Sequence, residues 1–454
     1  MPDDPHPSAD ALSAEPTIIS REKSWLDRTL SLFGDVRTGE GATTLLLMAN
    51  VFLLLICYSV IKTVREPLIL LGGGAEVRSY SAAGQAVLLM AFIPAYSWFA
   101  SRVDRVKLLV GITLFFLVNI ELFALAVAAQ TPYVGVIFFI WVGIFNNSLV
   151  AQFWSFANDI YRKDAGDRLF PIVAIGMTAG APIGSIVAGR LFGRSVEPQS
   201  ILQISAALLF GTLILYLLIN ARVTRRGQSA TAALAPGSGF SLVLRSGYLR
   251  LIALLIVVLN IVNTTGEYLF ASLLKNHADM LAAADPAFDA RAYIGAFTGD
   301  YQFWVNVTAF LLQAFVTSRL VKFRGLGGVL LALPLIALGG YSIVAVGAGL
   351  TLVRWVKTAE NATDYSIMNT ARQLLWLPTA REEKYKAKQT IDTFFVRGGD
   401  VVSAAVVYVG TGVLQLGVSA FAAVNVVLAL VWLGIAMLIL RRYKAKSSIA
   451  LAAA

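Results

Sequence analysis

The feature that most constrains this chain is a succession of apolar stretches, each about 20 residues long, the length a helix needs to cross a bilayer. They run 43–66, 77–99, 107–129, 133–158, 169–191, 200–220, 249–274, 296–318, 327–346, 348–370, 390–411 and 418–440. Composition agrees: 57% of residues are hydrophobic and 14% charged, where a soluble domain carries about a quarter charged residues. The expectation is an all-α integral membrane protein of about twelve transmembrane helices. The stretch 348–370 fits least well, because it holds Arg354, Lys357, Glu360 and Asp364 and by itself reads as an amphipathic surface helix.

The net charge of +10 follows from topology and points to no nucleic-acid partner. Basic residues gather in alternate loops, such as Arg102, Arg105 and Lys107, then Arg162, Lys163 and Arg168, then Arg441, Arg442 and Lys444. The intervening connections at Thr131–Tyr133 and Thr411–Leu416 are uncharged. The positive-inside rule then predicts a cytoplasmic (inner) membrane protein with both termini in the cytoplasm. The first twenty residues lack a basic n-region and an apolar h-region, so they read as a tail rather than a signal peptide. Cys57 is the only cysteine and His6 and His277 the only histidines, so no metal cluster and no cofactor is expected.

Organisation follows from the same pattern. Residues 1–42 read as a cytoplasmic tail ending in a short interfacial helix, where Trp25, Leu26, Thr29, Leu30 and Phe33 recur at helical spacing. The expected domains are a six-helix bundle over 43–220, a basic and Ala/Gly/Ser/Pro-rich linker over 221–247, a second bundle over 248–441 and a tail over 442–454. Weak internal repeats support the division. The loop ASRVDRVKLLVG from Ala100 corresponds to TSRLVKFRGLGG from Thr317, and VREPLIL of the first span lies over TGEYLFA of the seventh, pairing Glu66 with Glu267. Two related six-helix bundles are the architecture of major facilitator transporters, whose sites lie between the halves near the midplane.

The stretch Tyr58–Leu71, YSVIKTVREPLILL, places Lys62, Arg65 and Glu66 at i, i+3 and i+4, on one helix face within an apolar run. Such charges either snorkel at the membrane edge or face a pathway or partner. Arg354, Lys357 and Arg397 add cations suited to a phosphorylated substrate. Glu66, Glu121, Asp159, Glu267 and Asp400 are acids that would neutralise those bases or carry a proton. Trp141, Phe153, Trp154, Phe303 and Trp304 offer flat surfaces for a base, or ordinary packing and interfacial belts. The runs Gly72–Gly74 and Gly176–Gly184 lack the lysine of a phosphate-binding loop, and the latter reads as close helix packing. No nucleophile–base constellation appears, so no enzyme activity is expected.

Three segments carry a family resemblance: the opening stretch with Arg65-Glu66, FWSFANDIYRKDAGDRLFPIVAIG from Phe153, and REEKYKAKQTIDTFFVRGGD from Arg381. Together they resemble the non-mitochondrial ATP/ADP translocases, nucleotide antiporters of plastids and intracellular bacteria, over about Trp25 to Lys446. FWSFAND is similar to the family's FWGFANE, which puts Asp159 at its acidic position. Better known members have lysine and aspartate where this chain has Arg65-Glu66. The family's basic residue in span 10 corresponds to Lys357 or Arg372. Asp104 and Arg105 resemble part of the loop 2–3 signature of the major facilitators, which implies gating.

The resemblance implies a secondary transporter exchanging nucleotides or related phosphorylated anions, with the bilayer and an anionic small molecule as partners and a monomeric state. The substrate residues it suggests are Lys62, Arg65, Asp159, Glu267, Arg354, Lys357 and Arg397, with Arg65 first and Lys62 second. Glu66, Asp104, Arg105 and Asp400 would gate. Two other readings stay open: a proton-coupled carrier of another organic solute, in which Glu66, Asp159 or Glu267 titrates, and a non-transporting lipid-handling or partner-binding member of the fold.

Overall fold

The computed structural model describes residues 23–32, 35–100, 102–103, 105–161, 163–223, 239–380 and 383–452. Asp104, the side chain of Arg105 and the greater part of the expected linker lie outside them. A short helix forms where one was expected, α1 (Trp25–Leu30), with Trp25 and the following Leu32 exposed. Its capping box joins Ser24 and Asp27, and Asp27 also accepts the backbone N–H groups of Gly39 (3.1 Å) and Gly41 (2.8 Å). One buried carboxylate thereby satisfies donors at the start of two helices.

The long helix α2 (Gly41–Ala100) carries the first two expected spans, but the division differs from expectation. Pro67, near the expected end of span 1, sits inside the helix without breaking it, and the break falls at Gly74 (φ +78). A positive φ costs glycine nothing and other residues dearly, so the Gly72–Gly74 run turns the chain where a proline only perturbs it. Then follow α3 (Arg105–Ala128), α4 (Val134–Ile160), α5 (Lys163–Phe192) and α6 (Pro198–Arg222). After a short α7 (Gly239–Arg245), the second half begins with α8 (Gly247–Ala284). Next, α9 (Ala290–Leu311) passes through a π-helical turn into α10 (Ser318–Ala345), which breaks at Gly325 (φ +58). Two helices, α11 (Leu350–Thr363) and α12 (Asn369–Leu374), flank a π turn at Asp364–Met368. Finally come α13 (Lys388–Thr390), α14 (Val396–Tyr408) and α15 (Val418–Ala452).

Among the described residues, nine helical stretches are long and apolar enough to cross a membrane, and those at Gly41–Tyr96 and Ala290–Ala345 are each 56 residues long. Those two contain the breaks at Gly74 and Gly325, so each serves for a pair of expected spans. Leu350–Leu374 is not among the nine, in keeping with its charges.

Two hydrophobic cores give the halves their shape. One gathers Leu47 to Ile219, the other Val243 to Ile439. Inside the first, α5 lies against α2 along Gly176, Gly180 and Gly184, where an added Cβ would strike the carbonyl oxygens of Met48, Phe52 and Ile56. Small residues at every fourth position let two backbones touch, which substitutes for a hydrophobic drive that lipid cannot supply. The second core also takes in Ile69, Leu70, Ala75 and Phe139 from the first half. These residues lie at the end of the bundle remote from α1, called distal below, where the turns at 72–75, 129–133, 193–197, 285–289, 346–349 and 414–417 also sit. The halves are therefore welded at their distal ends. Tyr80 of α2 meets Tyr408 of α14 there (centroids 6.3 Å), and Gly189 of α5 meets Gly299 of α9.

Candidate functional site

Just inside that distal weld lies a network of charges contributed by both halves. Glu66 of α2 accepts bonds from Arg65, its sequence neighbour, and from Arg78 Nε at 2.7 Å. Arg78 lies beyond the Gly74 break, and the turn folds it back over the helix that carries Glu66. Both guanidinium groups flank the ring of Phe139, Arg65 at 4.2 Å and Arg78 at 5.8 Å from its centre. That stacking helps hold the two cations beside the one carboxylate they share, Glu66.

Arg78 then reaches across the seam, donating to Glu267 of α8 at 3.2 Å. The repeat partners Glu66 and Glu267 thus share one arginine, and Arg78 is a clasp between halves. Glu267 is itself held by Asn361 Nδ2 at 2.9 Å and lies 3.6 Å from the ammonium of Lys357. Lys357 is 1% exposed and bonds Glu360 at 2.9 Å, while Glu360 accepts from the Tyr341 hydroxyl at 2.8 Å. Asn361 also donates to Tyr301 at 2.7 Å, which closes the network against α9.

Lys62 stands apart. Its ammonium crosses the seam to Gln302 of α9 at 3.1 Å, a neutral partner, while Arg65, Arg78 and Lys357 each hold a carboxylate. Among the described residues, the three acids Glu66, Glu267 and Glu360 face the four bases Lys62, Arg65, Arg78 and Lys357, so by formal charge the cluster keeps one positive charge in excess.

The other expected residues fall elsewhere. Arg354 pairs with Asp300 and lies over Phe297 and Trp355, toward the distal surface. Arg397 and Asp400 pair within α14 at 3.5 Å, and Thr264 of α8 donates to Asp400 at 3.1 Å. Asp159 is exposed near the end of α4 remote from the clasp. Between the two span-10 candidates, Lys357 belongs to the network and Arg372 pairs with Asp364 at 3.0 Å. Of the aromatics, Trp141 is packed among Phe116, Phe123, Phe138 and Phe145, which is core structure. Trp304 meets Trp355 on the exposed surface.

Sequence reasoning assigned no site role to Arg78, Tyr301, Gln302, Tyr341 or Asn361, and it noted Glu360 only as an obstacle to a span. Arg78 is the second residue of the expected stretch 77–99, where a base reads as part of a loop. The signal available was its place four residues after a glycine run that can reverse the chain.

The profile of the TLC ATP/ADP transporter family matches residues 128–444, which is more than half of the chain. The chain belongs to the TLC ATP/ADP transporter family. Similar curated proteins include ADP,ATP carrier protein 1 of Chlamydia trachomatis serovar D, 24% identical over 292 residues, covering 55% of this chain and 53% of that protein. ADP,ATP carrier protein 1 of Rickettsia bellii is 20% identical over 324 residues, with 62% and 63% covered. The chain therefore spans little more than half the length of the curated relatives it matches.

Solved structures resemble this TLC-family chain over nearly its whole length. The nucleoside transporter NupG superposes with a TM-score of 0.61 at 14% identity, covering 88% of this chain and 99% of that one. A bacterial homologue of the lysosomal transporter Spinster, inward-facing and unoccupied, gives 0.58 at 14% identity, covering 89% and 98%. The fold is that of the major facilitator transporters, as the internal repeats predicted.

Proposed function

We propose that the protein is a secondary carrier that exchanges nucleotides or related phosphorylated anions by alternating access of its two halves. The observation that carries this reading is Lys62, a base in the seam between the halves that bonds the neutral Gln302 and forms no ion pair among the described residues. Lys62 is half-buried, and a charge drawn out of water with only a neutral partner keeps an unrepaid desolvation cost, so closing the empty seam around it is disfavoured. A bound anion supplies the missing negative charge and removes the cost. Exchange follows: the carrier changes sides easily when loaded and reluctantly when empty.

In this reading Lys62 replaces Arg65 as the first anion contact, because Arg65 is engaged by Glu66 and Phe139. Arg78 with Glu66 and Glu267 forms the distal gate, and Lys357 holds Glu267 from the other side. The positive-inside pattern makes the distal end the outer one, with both termini in the cytoplasm and the chain in the cytoplasmic membrane. A monomer suffices, since both halves are in one chain. The names of the chlamydial and rickettsial relatives supply the substrate class, ADP and ATP.

The test is nucleotide uptake into proteoliposomes preloaded with ADP. Exchange should persist with a protonophore present and cease in Lys62→Gln with membrane insertion intact. Undiminished exchange in Lys62→Gln overturns the assignment of that residue. Uptake abolished by the protonophore in the unmodified protein favours proton coupling through an acid of the seam.

A further inference from the structure

Among the described residues, the distal face carries five bases outside the clasp: Arg190 near the end of α5, Arg194 in the turn after it, Lys275 on α8, Arg291 on α9 and Arg354 on α11. Three have carboxylate partners: Lys275 with Asp279, Arg291 with Glu197 at 3.2 Å, and Arg354 with Asp300. Arg190 and Arg194 have no ion-pair partner among the described residues, and both are exposed. They border a cleft of about 350 Å³ that runs across the seam, from Ile186 and Gly193 on the first half to Ala296 and Asp300 on the second. Gly189 and Gly193 stand at the same four-residue spacing and present no side chains, so the cleft stays open between the arginines and α9. Gly189 of its lining touches the backbone of Gly299, so the two halves meet directly beside the cleft.

From these observations we infer that Arg190 and Arg194 form a binding station for a phosphate group at the mouth of the distal seam. Two guanidinium groups one helical turn apart can fork onto the oxygens of a single phosphate. A base at a helix C-terminus gains a little from the macrodipole, but that gain requires neither a second arginine nor a cleft. Among the described residues, Asp300 is the one carboxylate lining the cleft, and Arg354 neutralises it, so the site remains doubly positive. The ligand is a phosphate ester or polyphosphate: an arriving substrate anion or the headgroup of an anionic phospholipid at the rim. The substrate source rests on the carrier reading above, while the phosphate site itself does not.

The test uses the full chain with Lys62→Gln, which removes the proposed central contact, with and without Arg190→Gln and Arg194→Gln added. Inorganic pyrophosphate binding is measured by calorimetry in detergent, and retention of phosphatidylglycerol against phosphatidylcholine by native mass spectrometry. If the station takes soluble phosphates, Lys62→Gln keeps a salt-sensitive pyrophosphate site that weakens at least about tenfold when the arginines are removed. If it takes a headgroup, phosphatidylglycerol is retained selectively and the retention is lost with the arginines. Binding of both probes unchanged by loss of the arginines, or absent from the start, overturns the proposal. Failure of nucleotide exchange in proteoliposomes, with either probe still bound through the arginines, would reject the carrier reading alone.

Discussion

Replacing Glu267 by glutamine tests the clasp with little collateral damage. The change keeps the shape of the side chain and an oxygen that can accept from Asn361. It also strands no cation, because Arg78 keeps Glu66 at 2.7 Å and Lys357 keeps Glu360 at 2.9 Å. What disappears is the attraction between Arg78 and Glu267 across the seam, at 3.2 Å. At an effective dielectric of about 20, a pair at that separation is worth roughly 5 kcal/mol before desolvation is counted. Desolvation of a buried pair offsets much of this, and Lys357 shares the same carboxylate, so a net loss of about 1–2 kcal/mol is expected. That corresponds to a shift of about 5–30-fold from distal-closed toward distal-open. The assay is the labelling rate of Ala296→Cys, in the seam above the clasp, by a membrane-impermeant maleimide, with Cys57 replaced by serine. Glu267→Gln should raise the rate by that factor, and a double-mutant cycle with Arg78→Gln should show the two effects to be coupled. Equal labelling rates in properly inserted protein, or strictly additive effects, would refute the reasoning.

Other predictions follow from packing and local electrostatics. A Cβ at Gly299 would collide with the Gly189 backbone and the Ser185 carbonyl, so Gly299→Ala should wedge the distal seam, raising Ala296→Cys labelling and slowing transport. Gly180→Val should push α5 off α2 at the Phe52 carbonyl and cost about 1–3 kcal/mol, read as a lower melting temperature in detergent. Outside the membrane, burial pushes the Asp27 carboxyl up, but bonds from Gly39, Gly41 and Ser24 outweigh it and leave its pKa below the ordinary 3.8. A depressed carboxyl stabilises the folded form above its unfolded pKa and loses that contribution as pH falls through the folded value. Protease cleavage between residues 24 and 41 should therefore rise as pH drops below about 4. Asp27→Asn should show raised cleavage already at pH 7.

Legibility differed between residues for physical reasons. Glu66 and Glu267 could be paired from the repeat because a duplicated bundle keeps its register, and both do stand at the seam. Gly176, Gly180 and Gly184 announced a helix contact through their spacing alone, and they lie on the α2 backbone. The first span was expected to end at residue 66, whereas the helix runs on to its break at Gly74, since an apolar stretch does not show where its backbone turns. The order of Arg65 and Lys62 was not readable at all. Both lie on one helix face, and what separates them is Phe139 and Gln302, residues 74 and 240 positions further along the chain.

By itself, the sequence determined that this chain is a helical membrane protein of two related halves. Apolar length fixes that outcome, because a backbone in hydrocarbon must satisfy its own hydrogen bonds within each helix. Only the tertiary structure decided which charges are spent on one another and which meets only a neutral partner. Arg78 meets Glu267 across 189 positions of sequence, and whether a base is free depends on where such distant acids come to rest. Long-range pairing of this kind leaves no periodicity to read; it exists once the halves are folded against each other.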